Sequence, residues 1–234
     1  MMKKNILFRA IILSSSMLVI SACGGGGSSD NNEASSGNSS NGKYDLTEYI
    51  FHRNLDLVGE IYSYPVKLYS KTDGTEQYAG IELGEIYEKI SEDTVTFRES
   101  GSSVPENTFL INESTILETV HALNNQSRDL QRFVDVGTKY MDADATTALA
   151  EQNAICTVME HLDTFDLSTA TDNYNLASGV YEDVLHVHCI TSFVIDGNLA
   201  PHTDLHHYFA KDIGPIFNEG TVLILGDAYI IPQL

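Results

Sequence analysis

Apolar and polar residues alternate with a period close to two along most of the chain beyond residue 43. The runs 44–52, 61–71, 77–90, 94–98, 108–111, 115–121 and 130–136 are rich in β-branched and aromatic residues, as half-buried strands are. Between them stand Thr72-Asp73-Gly74, Glu99-Ser100-Gly101, Asn112-Glu113-Ser114 and Asn124-Asn125, which carry turn chemistry. The prolines at 65, 105, 201, 215 and 232 fall mostly at expected strand ends or in connections, where a missing N–H is tolerated. One stretch breaks the period. Residues 144–152 are alanine-rich, with Asp142 or Asp144 placed as a cap, and they predict a single short helix. The pattern predicts an all-β domain over 43–234: one antiparallel, mostly meandering sheet with at most one short helix.

The longest alternation is a hairpin over 153–195. On its second strand Tyr181, Leu185, Val187, Cys189, Phe193 and Ile195 share one face, and Glu182, His186, His188 and Ser192 share the other. On its first strand Ala154, Val158 and Leu162 lie on the face of Cys156. The polar connection 168–179 is centred near residue 173, so residues whose numbers add to about 345 should lie opposite each other. Cys156 and Cys189 satisfy that rule, and directly opposed antiparallel residues come close enough to bridge. A disulfide is the expectation; two separate buried thiols are the alternative.

The remaining candidate chemistry is sparse. His186, His188, His202, His206 and His207 crowd into 22 residues, and a His-x-His pair on a strand points both rings to one side. Zinc or copper could use His186, His188 and His206 with Asp204 or Glu182 as an oxygen ligand. Against that, His186 and His188 oppose the apolar stripe, where solvated imidazoles need no ligand. No metal and no cofactor is therefore expected, and added Zn²⁺ is expected to leave the melting temperature unmoved. Asp142-x-Asp144 opens like a calcium loop, but Thr147 replaces the glycine and Asn153 the final acid. The sequence contains no Gly-x-Ser-x-Gly, His-Glu-x-x-His, Walker or Cys-x-x-Cys motif. Pairs such as Glu92-Asp93 and Glu182-Asp183 read as turn and surface charges. No enzyme is expected.

The first 42 residues have a different character. Lys3, Lys4 and Arg9 precede an apolar run over 10–20 broken by Ser14, Ser15 and Ser16, too short and interrupted to span a bilayer permanently. It ends in Ile20-Ser21-Ala22-Cys23-Gly24. This segment resembles the lipobox of bacterial lipoproteins: an aliphatic residue, two small residues and the lipidated cysteine. The resemblance implies a signal peptide over 1–22, acyl chains on Cys23 as the membrane partner, and, from Gly24, outer-membrane sorting. Residues 24–42 hold six glycines, six serines and four asparagines with no large apolar side chain, which predicts a flexible tether of roughly 25 Å root-mean-square span. With Cys23 acylated, the two other cysteines form an even pair in an oxidising compartment.

Charge narrows the partners. Of 13 lysines and arginines, Lys3, Lys4 and Arg9 leave with the signal, so 10 remain against 33 acids, a net of about −23. Such a field repels nucleic acid and anionic headgroups. A second resemblance lies in Tyr208-Phe209-Ala210-Lys211-Asp212-Ile213-Gly214-Pro215-Ile216, following Asp183-Val184-Leu185-His186-Val187. It is similar to the C-terminal hairpin of uncharacterised β-rich envelope lipoproteins, and implies a curved sheet or half-barrel with Lys211 at an exposed edge. The sum is a lipid-anchored envelope protein, with Cys23 the lipidated residue, acting by binding or scaffolding. The alternative is a carrier or sensor of an apolar ligand, using twelve tyrosines and nine phenylalanines to line a cavity of roughly 300 Å³ or more.

Overall fold

The period-two stretches fold into successive hairpins. The computed structural model describes residues 43–234 apart from 80–82, 122–124, 147–149, 172–173, 196–197 and 223–225. Cys23 and the expected signal and tether segments lie outside the described residues, as do the side chains of Asp144, Asn153 and His202.

The first half of the chain contributes β1 (Tyr44–Asp45), β2 (Ile61–Ser70), β3 (Glu76–Gln77), β4 (Gly84–Ser91) and β5 (Thr94–Glu99). It continues with β6 (Asn107–Ile111), β7 (Thr115–Val120), β8 (Gln126–Gln131) and β9 (Phe133–Val134). Longer strands follow: β10 (Lys139–Thr146), β11 (Ala150–Asp166), β12 (Val180–Ile195), β13 (Asn198–Ala210), β14 (Gly214–Val222) and β15 (Gly226–Pro232). Among the described residues two one-turn α-helices interrupt them, α1 (Thr47–Ile50) and α2 (Leu167–Ala170), with a 3-10 turn at Arg53–Leu55.

Among the described residues the main sheet runs β10-β11-β12-β13-β14-β15-β2-β4-β5-β6-β7-β8, antiparallel throughout. It is all-β and nearly closed, for its end strands β8 and β10 lie beside each other. β2 joins the two halves. Its Ile61–Pro65 segment pairs with β4, and its Val66–Ser70 segment with β15. Pro65 sits where β2 changes partner, so no ladder there depends on its N–H. Curvature comes with bulges, at Lys139/Met141, Val158/Glu160, Thr191/Phe193 and Tyr208/Phe209.

The sheet wraps one interior. Val95, Phe97, Phe109, Ile116 and Leu130 from one half pack in the same cluster as Val158, Val187, Leu205, Phe209 and Ile230 from the other. A buried ion pair crosses this interior between opposed β7 and β8 residues. Arg128 Nε donates to Glu118 Oε2 at 2.7 Å, and Asn107 Nδ2 donates to the other carboxylate oxygen. A second apolar cluster covers the outer face of the longer strands, where Phe217, Tyr229, Ile216, Val184 and Ala210 meet Leu167 of α2. The segment after α2 is fixed by Tyr174, whose hydroxyl donates to the Thr72 carbonyl at 2.9 Å. Gly74, at φ +69°, leaves that ring its space: a Cβ there would stand 2.6 Å from it.

Three expectations need correcting. The described residues of 144–152 are not helical: Asp144, Ala145 and Thr146 of β10 face Asn153, Gln152 and Glu151 of β11. Nine alanine-rich residues carry too little helical free energy to compete with extension of a ladder already formed by β11 and β12. The run 44–52 is not one strand, for α1 replaces its middle. There Ile50 N–H bonds back to the Leu46 carbonyl while Leu46, Tyr49 and Ile50 are buried. Lys211 does not guard an edge. It lies in the β13–β14 turn, 2.9 Å from Glu48 of the α1 segment, and β13 has neighbours on both sides.

Candidate functional site

The register of β11, β12 and β13 decides what meets what. Cys156 faces Cys189 and the two are bonded, with Cα atoms 4.1 Å apart. On the opposite side of β12 the outward residues are Val184, His186, His188 and Ile190, facing Ala210, Tyr208, His206 and Asp204 of β13. One end of this row is covered by α2, and the other emerges into solvent at Ile190.

This face is not the solvated surface that alternation alone suggests. Rings fill it. Phe165 stacks on Tyr208 at 4.5 Å, Tyr208 on His186 at 4.5 Å, and His206 on His188 at 4.4 Å with only 6° between planes. His186 keeps 9 % of its surface, so an imidazole opposite the core is itself buried, by its aromatic neighbours and not by the core.

Hydrogen bonds order the imidazoles. His186 Nδ1 lies 2.9 Å from Glu160 Oε1, and His186 Nε2 lies 2.8 Å from His206 Nδ1. His188 Nε2 lies 2.6 Å from Asp204 Oδ1. Burial, then the nearby His188 and His186, lower the His206 pKa. The ligand atoms of His188, Asp204 and His206 all fall within 4.8 Å of one another. Of the residues singled out in the sequence, His186, His188, His206 and Asp204 are therefore brought together. Glu182 is not: it pairs with Thr164, farther along β12. His207 points the other way, into the core, and bonds Asn218 at 2.9 Å.

Other groups went unnoticed in the sequence. Asp183, read there as a surface charge, accepts from the Tyr49 hydroxyl at 2.6 Å and lies 2.7 Å from His161 Nε2. Burial works to raise its carboxyl, but the Tyr49 and His161 hydrogen bonds and nearby Lys211 outweigh that and lower it. Its φ of +53° interrupts the alternation of β12, and Tyr181 packs with the outer cluster instead of sharing the face of Leu185. Thr108, His121 and Asn125 form a hydroxyl–imidazole–amide chain at 2.8 and 2.6 Å. An amide in third place supplies no charge to stabilise an imidazolium, so the chain ties the β6–β7 hairpin to the loop beyond it.

A cleft of about 500 Å³ opens beside α1. It has the volume of a ligand site, but Arg53, Lys89, Arg132, Asp56, Glu92 and Asp93 contribute to its wall. That lining suits a polar occupant and not the apolar ligand of the carrier reading.

No family model and no curated protein matches the chain. Two solved structures are similar to it. One is a protein from Bacteroides fragilis described as exported and of YmcC-like fold, at 9% identity and TM-score 0.47, covering 80% of this chain and 98% of that one. The other, from Parabacteroides distasonis, is described as a lipoprotein, at 8% identity and TM-score 0.44, covering 79% and 98%. Identities this low carry nothing about activity.

Proposed function

We propose that the chain is a lipoprotein of the bacterial envelope, held at the outer membrane by acyl chains on Cys23, whose β domain binds or scaffolds and catalyses no reaction. The observation that carries the export half of this reading is the Cys156–Cys189 disulfide. It joins directly opposed residues of β11 and β12, and such a structural bond persists in an oxidising compartment, the one a lipobox leads to. A sequence separation of 33 gives it roughly 3–4 kcal/mol in the chain-entropy model. The binding half rests on the outer face of β12 and β13, where four imidazole and phenol rings and two carboxylates stand together beyond what the core requires.

Cys23→Ser tests the anchor. The variant should lose fatty-acid labelling and move from the membrane to the soluble fraction, while non-reducing peptide mapping still recovers Cys156 linked to Cys189. Undiminished labelling of the variant overturns the anchor, and free thiols in envelope-purified protein overturn the export argument.

A further inference from the structure

We propose that His188, Asp204 and His206 form a binding site for a divalent late transition-metal ion, with Zn²⁺ as the representative, and that Glu160 and His186 hold the site in its ligating tautomer.

The geometry builds this from the register upward. His188 and His206 are directly opposed across β12 and β13, and Asp204 is two residues before His206, so it projects from the same face. These residues offer two imidazoles and one carboxylate, a donor set that suits zinc or copper and leaves a coordination position open. The acceptors within 4.8 Å need only modest rearrangement. His188 Nε2 and Asp204 Oδ1 stand 2.6 Å apart, whereas two donors on one tetrahedral zinc are ~3.3 Å apart, given metal–ligand bonds of ~2.0 Å. An opening of under one ångström admits the ion once the proton that joins them passes from Nε2 to Nδ1 of His188, which leaves Nε2 free to ligate. Both side chains are partly exposed, at 23% and 39%, so that opening meets solvent and not core.

The second observation is the relay behind the site. With Glu160 accepting from His186 Nδ1–H, His186 Nε2 is left as an acceptor, and it takes the Nδ1–H of His206. His206 then presents an unprotonated Nε2. This is the carboxylate–imidazole support that orients metal-bound histidines, here with one imidazole interposed. The stacking of Tyr208 on His186 fixes the plane of the relay. A solvated histidine row would need none of these restraints. The chain's net charge of −20 adds a general attraction for cations, without selecting one.

The test uses the full-length chain without a polyhistidine tag, purified in detergent and stripped with chelator. Calorimetric titration with Zn²⁺ should give one ion per chain, and the melting temperature should rise with Zn²⁺ and not with Ca²⁺. His188→Gln, Asp204→Asn and His206→Gln should each weaken binding about a hundred-fold, and Glu160→Ala about ten-fold through loss of the relay. His161→Gln, away from the site, should bind as the parent does. Co²⁺ in the unaltered chain should show the visible absorption of a four- or five-coordinate nitrogen and oxygen site, a readout that no folding defect can mimic. Absence of Zn²⁺ binding at millimolar concentration overturns the proposal, as does one-to-one binding that survives His188→Gln and His206→Gln together.

Discussion

At the scale of single residues, the chain repeatedly places a charge where only a partner makes it tolerable. Glu118 is fully buried and opposite Arg128, and removing either would strand the other in the interior. Asp45 and Arg132 are the accessible version of the same device. Arg132 Nη2 and Nε reach Asp45 Oδ2 at 2.7 and 3.0 Å, and the guanidinium also donates to the Asn112 carbonyl, so β1 is fastened to the body of the sheet. Burial works to raise the Asp45 carboxyl, and the bonds from Arg132 and Thr47 overcome it, leaving the pKa lowered. A carboxyl held below its unfolded value adds stability that is complete above about pH 4 and is lost as pH falls through the folded value. Asp45→Asn should therefore lower the unfolding free energy by about 1–3 kcal/mol at pH 7. The gap between variant and parent should be smaller at pH 3 than at pH 7. Urea unfolding at both pH values measures this, and a gap that does not change with pH would contradict the assignment.

At the scale of elements, legibility followed the pleat. The strands at 61–70, 94–99, 107–111 and 115–120 lie where alternation places them, because each buries one face and a one-residue slip would expose it. The Cys156–Cys189 pair was legible for the same reason: hairpin symmetry fixes register before any side chain is considered. The hairpin at 139–166 and the one-turn α1 were not, since local propensity says alanine-rich helix in one place and aromatic strand in the other. Ladder pairing decided the first, and burial of Tyr49 and Ile50 decided the second. Gly220 shows a constraint that no propensity scale contains. It sits in β14 at φ +140°, opposite Leu205, and a Cβ there would land on the Asp204 carbonyl oxygen. Gly220→Ala should force β13 and β14 apart locally and destabilise the domain by about 1–3 kcal/mol. Thermal melting should show the loss, whereas Gly101→Ala, at φ +85° in open space, should show only the strain of its backbone. Equal shifts in the two variants would rule out the close approach as the cause.

At the scale of the whole molecule, the histidine face explains where sequence reasoning stops. Alternation placed His186 and His188 on one side of β12 and His206 and His207 on opposite sides of β13, and the structure agrees with both. What alternation within β12 does not contain is the covering of that outer face, because Phe165, α2 and the row Tyr208, Phe217 and Tyr229 are supplied by the neighbouring strands and the connection. Whether a polar face is wet depends on those neighbours, so a row that reads as solvated in one strand is half-buried in the fold.

Pairing and packing between the two halves imply that the domain unfolds cooperatively. Among the described residues, β2 is the one strand that pairs with both halves of the main sheet, by its first five residues with β4 and by its last five with β15. The interior cluster likewise draws on both halves, with Ile116 and Leu130 joined to Val187 and Leu205. The interior core is thus shared between the halves, and β2 couples their ladders. Leu68, on β2 and 1% exposed, lies opposite Ile230 of β15 within that shared cluster. Leu68→Ala should cost about 2–5 kcal/mol, as buried leucine truncations do. The informative measurement is where the loss is felt. Hydrogen exchange read by mass spectrometry should show the slowest amides of β5–β7 and of β11–β13 exchanging through one opening, with both lowered by the same free energy in the variant. If only the β11–β13 amides lost protection while β5–β7 kept theirs, the two halves would be separate folding units, and β2 would not couple them.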